Sequence, residues 1–310
     1  MPRRAQLAVL GATVGVILLV LTWYGAFRVG VVARADASVL RGFAGLQGRF
    51  VNWLANEIAN LADPKPFVVL AAVIVLVALI RRRGRVAVAA GAILLGANVT
   101  TQILKAVLHE QHPVAFRIAG VLQVGGSSWP SGHATAAMSL VLCAVLVARA
   151  RWRPMLAAAG AAFAVAVSFS FLTLVWHYPS DVLGGFLVAA TWTLVGVAAV
   201  WTADARWPRR TAGSSAPVRL TARQALGPPV AAALGALALV ALVALARPHA
   251  VIAYGHAHKT FVVGAAALGA LGLALATGLM LVTTMRGAAA RSEASVSDNA
   301  RVPTAAPRRG

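Results

Sequence analysis

Acidic residues are scarce in this chain: its 310 residues include eight aspartates and glutamates, three tyrosines and one cysteine. With Cys143 as the lone thiol, no intrachain disulfide can form and no cysteine-ligated metal site is supported. Charged residues make up only 12% of the chain, while hydrophobic residues reach 60% at a mean hydropathy of +0.79. That apolar share is well above the roughly 45–50% of an average soluble domain. A water-soluble globule is excluded. The formal net charge is +20, yet 25 of the 28 basic residues are arginines that sit mostly in short clusters between apolar runs. That placement reads as membrane topology and argues against a nucleic-acid-binding face.

What the chain has in abundance is apolar runs. A helix needs roughly 20 apolar residues to cross about 30 Å of hydrocarbon, and eight segments approach that length, near residues 7–27, 66–80, 86–104, 134–149, 155–175, 182–202, 229–246 and 260–285. The first is longer than the hydrophobic stretch of a signal peptide and is expected to be a retained anchor. The second and fourth are short and need flanking side chains to complete a crossing. The expected fold is an all-α membrane protein: a core of six crossings over 1–203, a basic linker over 204–228, a pair of further crossings over 229–286, and a disordered polar tail over 287–310. Prolines 208, 217, 228 and 229 mark the linker.

Alternate crossing from a cytoplasmic N-terminus puts 19 lysines and arginines inside and 9 outside, the bias that sets orientation in membrane proteins. Both termini and the linker are then cytoplasmic in a multi-pass protein of the cell membrane. Between the first two crossings Leu40, Phe43, Leu46, Phe50, Leu54, Ile58 and Leu61 recur every three or four residues, which predicts an amphipathic helix. It would either pack over the outer ends of the bundle or lie in the lipid interface.

Two short clusters carry ionisable groups at ends of apolar segments, on the expected extracytoplasmic side: Pro130-Ser131-Gly132-His133 and His177-Tyr178-Pro179-Ser180-Asp181. Such groups are costly near a bilayer and mark a functional site by default. If a helix starts near Ser180, Asp181 can accept a hydrogen bond from one nitrogen of His177 and leave the other as nucleophile or base. Equally, Ser180 or Asp181 is a helix cap. A glycine-containing helix start at 130–133 can gather an anion on backbone N–H groups, with the Ser131 hydroxyl as a further donor and His133 placed to protonate a leaving oxygen. Lys105, on the same side, is a cation for that anion or a snorkelling anchor.

Taken together, Lys105 with Pro113, the four residues 130–133, and Ser170 with His177 and Asp181 resemble the three ordered motifs of the type 2 phosphatidic acid phosphatase superfamily. The resemblance covers about residues 1–203 and does not explain the last two crossings. It implies a phosphatase-like six-helix core in which His177 attacks phosphorus, Asp181 orients it and His133 protonates the leaving group. Lys105, Ser131 and the N–H of Gly132 would hold the phosphoryl oxygens, with no metal and no cofactor. Where the motifs carry arginine this chain has His112 and Phe171. Neither replacement is conservative toward phosphate, and His112 and Arg117, in the loop between the third and fourth crossings, are the candidate substitutes.

The resemblance implies a hydrolase acting on a lipid phosphate or polyprenyl (di)phosphate at the extracytoplasmic face, surrounded by membrane lipids. Phosphotransfer through the same histidine, or a catalytically impaired lipid-binding scaffold, are the alternatives. A transporter fits less well, because the charged residues gather at one face rather than near the midplane. Nucleic acid is not an expected partner, and the oligomeric state is left open.

Overall fold

The computed structural model describes residues 1–113, 117, 118, 121, 122, 124, 126–208 and 220–284. Among the described residues, each of the eight apolar segments falls largely on one helix. In chain order the helices are α1 (Arg3–Arg28), α2 (Gly30–Ala44), α3 (Arg49–Asn60), α4 (Pro64–Ile80), α5 (Gly84–Leu108), α6 (Gly132–Val147), α7 (Arg153–Thr173), α8 (Pro179–Arg206), α9 (Ala222–Ala246), α10 (Pro248–Ala257) and α11 (Lys259–Thr284). A two-rung antiparallel ladder, β1 (Arg117–Ile118) with β2 (Val121–Leu122), lies between α5 and α6. Among the described residues six helices, α1, α5, α7, α8, α9 and α11, are long and apolar enough to cross a membrane, and α3 with α4 passes the same test as a pair bent by 45°. Apart from that short ladder, the described residues form a multi-pass, helical membrane protein.

The 16 residues of α6 span only about 24 Å at the usual helical rise. The helix tolerates this because protein, not lipid, surrounds it. Nearly every side chain from Ala134 to Val147 is buried, against α4, α5, α7, α8 and α11. Gly185 of α8 meets the start of α6 so closely that an added Cβ would lie 2.7 Å from the Ser131 carbonyl, the close approach that small residues permit in membrane bundles.

The periodic stretch over 40–61 forms two helices, where the pattern predicted one. Gly45 and Gly48 flank the break, residues that weaken a helix interior by roughly 1 kcal/mol each. Within it Gln47 turns its amide to the Thr173 carbonyl at 2.7 Å. The two halves also differ in burial: α2 packs Asp36, Leu40 and Phe43 inward, whereas α3 leaves Phe50, Trp53 and Leu54 exposed, as an interfacial helix does.

At its start α9 also departs from the linker reading. Pro228 and Pro229 lie inside the helix, which begins at Ala222 behind a reciprocal cap between Thr221 and Gln224. Both lie past the first turn, so each removes one i→i−4 backbone bond, and the helix continues beyond them. Arg209, Arg210, Arg219 and the polar tail lie outside the described residues. The last two described helices, α10 and α11, dock on α2: Tyr254 donates to the Gly42 carbonyl, Ser38 and Thr260 share a hydrogen bond of 2.7 Å, and Phe261 meets Phe43 edge-on at 4.9 Å.

Candidate active site

The ends of α5 and α7 and the starts of α6 and α8 lie at one end of the bundle, so the three sequence motifs converge there. Leaving α7, the chain reverses through Val175 at φ 59°, a left-handed conformation that costs a β-branched residue about 1–2 kcal/mol. The N–H of Trp176 returns to the Phe171 carbonyl at 2.9 Å. His177 follows, and Pro179 opens α8.

In that first turn Asp181 is wholly buried and serves three donors. Its Oδ2 accepts from the Tyr178 N–H at 2.9 Å and from His177 Nδ1 at 3.2 Å, and its Oδ1 accepts from His112 Nε2 at 2.9 Å. The cap and the histidine partner anticipated from sequence are thus one carboxylate. With Nδ1 engaged, His177 keeps Nε2 as the free nitrogen among the described residues. Burial depresses the pKa of His177 below its ordinary 6.5, which keeps the ring neutral and its lone pair available near pH 7.

His133 sits in the first turn of α6. Ser131 caps that helix, its Oγ accepting from the Ala134 N–H at 3.4 Å, while its own N–H donates to the Asp181 carbonyl at 2.9 Å. That single main-chain bond ties the second motif to the third. The rings of His133 and His177 lie 6.4 Å apart, centre to centre.

The remaining candidates are placed as follows. Ser131 is buried as a cap, and Gly132 and His133 are the more open part of its turn. Lys105, on the last turn of α5, is close enough for its charge to act on both His177 and Asp181. His112 is in the site but faces carboxylates: besides Asp181, Oδ2 of Asp36 lies 4.0 Å from its Nδ1. Arg117 is placed only as backbone in β1, and its side chain lies outside the described residues. Phe171 is fully buried and presents its edge to His177 at 5.3 Å, so an apolar wall stands where the motif has a cation. Ser170 turns its hydroxyl back to the Val167 carbonyl at 2.7 Å.

Two site residues escaped the sequence reading. Asp63, just before α4, bonds His133 Nε2 at 3.1 Å. Asp36 accepts from the Ser180 N–H at 2.9 Å and from its hydroxyl at 2.6 Å, and burial pushes its pKa up to about 6. The available signal was rarity combined with phase. Among eight acidic residues, Asp36 precedes Leu40 by four and Phe43 by seven, which puts a carboxylate on the apolar face.

Residues 86–205 match the model of the PAP2 superfamily. No curated protein matches the chain. A crystal structure of a transmembrane PAP2 type phosphatidylglycerolphosphate phosphatase from Bacillus subtilis is similar at 21% identity and a TM-score of 0.48, over 64% of this chain and 98% of that one. The matched segment, residues 86–205, holds Lys105, His133, His177 and Asp181 and is similar to the PAP2 superfamily.

Proposed function

We propose that the protein is an integral membrane phosphatase that hydrolyses a lipid phosphate or polyprenyl (di)phosphate through a phosphohistidine on His177, at the extracytoplasmic face. One observation carries the reading: a buried imidazole backed by Asp181 lies 6.4 Å from a second imidazole. Nε2 of His177 attacks phosphorus and the bond to the leaving oxygen breaks, with His133 donating the proton that oxygen needs. Water, giving a proton back to His133, then displaces His177 and releases inorganic phosphate. The Lys105 ammonium and the N–H of Gly132 stabilise charge on the transferring oxygens. The arginine bias supports the extracytoplasmic placement.

A specific observation favours a second reading, a phosphatase-like lipid-binding protein. Phe171 and His112 leave both arginine positions of the motifs without a guanidinium facing the site. Phosphate release by the purified full chain from phosphatidic acid and from a polyprenyl diphosphate, with His177→Ala beside it, separates the two. The phosphatase reading expects release that the variant loses by at least a thousandfold. Equal rates in both remove it. Accumulation of a phosphorylated acceptor in place of free phosphate makes the protein a phosphotransferase.

A further inference from the structure

His112 stands where the motif has arginine, yet both of its ring nitrogens face carboxylates. The ring is stacked on Tyr178 at 3.9 Å and packed against Phe27 at 4.5 Å, and its side chain is only 5% exposed. Asp181 spends Oδ2 on Tyr178 and His177, so Oδ1 alone would leave the carboxylate plane free to turn. His112 takes that oxygen through Nε2 at 2.9 Å. At the far nitrogen Asp36 lies 4.0 Å away, too long for a direct hydrogen bond and short enough for charge attraction. Asp36 is itself fixed by both bonds to Ser180, the residue before Asp181.

We infer that His112 is a positioning residue for Asp181 and that Asp36 anchors it, so that a buried row Asp36, His112, Asp181, His177 sets the nucleophile. The inference rests on the phosphatase reading above and replaces the expectation that His112 holds phosphate. Locking Oδ1 fixes the plane in which Oδ2 meets Nδ1 of His177, and thereby the direction of the attacking Nε2. Reaching a phosphoryl oxygen instead would require the His112 ring to leave Asp181 and its place between Phe27 and Tyr178. The row also gives the appended helices a part. Tyr254, Thr260 and Phe261 clasp the same α2 that delivers Asp36.

The test uses the full chain in mixed micelles, with phosphatidic acid as substrate and inorganic phosphate as a competing probe. His112→Ala is expected to lower kcat at least tenfold while KM and the phosphate inhibition constant stay within twofold. His112→Gln, which keeps an N–H for Oδ1, should recover at least fivefold of that loss, and Asp36→Asn should lower kcat three- to tenfold at unchanged KM. A tenfold rise in KM and in the inhibition constant, with kcat kept, makes His112 a phosphate ligand and overturns the inference. An activity-independent readout keeps the two readings apart. In ¹⁵N-histidine NMR, His112 should carry its proton on Nε2 with a low-field signal that Asp181→Asn moves upfield. An Nδ1–H tautomer, or a signal indifferent to Asp181→Asn, overturns the row. The expected signature in a wild type that releases no phosphate upholds the row while the phosphatase reading falls.

Discussion

At one end of the bundle Arg81 and Arg83 reach the Val147 carbonyl that ends α6, Arg153 donates to the Thr283 carbonyl near the end of α11 at 2.7 Å, and Arg85 binds Asp204 and the Trp207 carbonyl beyond α8. At the other end Asp36, Asp63 and Asp181 pair with histidines and with a helix start. The first set serves helix C-termini, where cations complement the dipole and the unpaired carbonyls. The second set ties side chains to one another. Backbone satisfaction can be met by any well-placed donor, whereas paired imidazoles and carboxylates define protonation states and directions. The proposed chemistry draws on the second end alone, whereas stability is shared between both.

Breaking the site end at its centre should have the largest effect. Asp181→Ala orphans three buried donors at roughly 1–3 kcal/mol each, so phosphate release should fall at least a thousandfold and thermal unfolding in detergent should shift down markedly. Retained release in a folded variant contradicts the role of Asp181. Gly185→Ala comes next. Its methyl would press on the Ser131 carbonyl and the Thr135 N–H, prising apart the helices that carry His133 and Asp181, and a tenfold or greater loss of kcat is expected. Gly272→Ala, which meets Val165 at 2.9 Å away from the site, should lower the unfolding temperature and leave kcat within twofold.

At the arginine end, Arg153→Ala removes a buried guanidinium and should cost about 1–3 kcal/mol with kcat unchanged below the unfolding range. A large kcat effect there would erase the contrast between the ends. Acidity sharpens it further. Asp36 holds its proton to about pH 6 instead of 3.8, so the folded state binds more protons between those values and loses stability as pH rises through them, by about 2–3 kcal/mol. Asp36→Asn escapes that loss. Its unfolding temperature relative to wild type should rise between pH 4.5 and 7.5, and a constant difference would contradict the burial of a titrating carboxyl. His177 titrates the other way: its depressed pKa moves the acid limb of kcat/KM below 6.5, since protonation removes the attacking lone pair as pH falls. A limb at or above 6.5 would place the ring in solvent.

The eight apolar runs and the converging motifs were legible because helix length and motif order are properties of the chain alone. The break at Gly45 and Gly48 was missed because the apolar period carries on through it, and periodicity does not register a turn that preserves phase. Asp63 carries no motif of its own, and its bond to His133 depends on how α4 is laid against α6. His112 was a candidate on sequence grounds, but the direction of its ring could not be read there. A ring reaches either an anion or a carboxylate according to what stacks on it, and Phe27 and Tyr178 lie 85 and 66 residues away.

The sequence by itself determined that this chain is a helical membrane protein with arginines gathered between crossings and a histidine pair poised at helix ends, because hydropathy and local spacing are written residue by residue. Only the tertiary structure decided that Asp36 reaches Ser180, that Asp63 meets His133, and that His112 faces Asp181. Those partners lie on different helices, and their meeting depends on how each helix is rotated and packed against its neighbours.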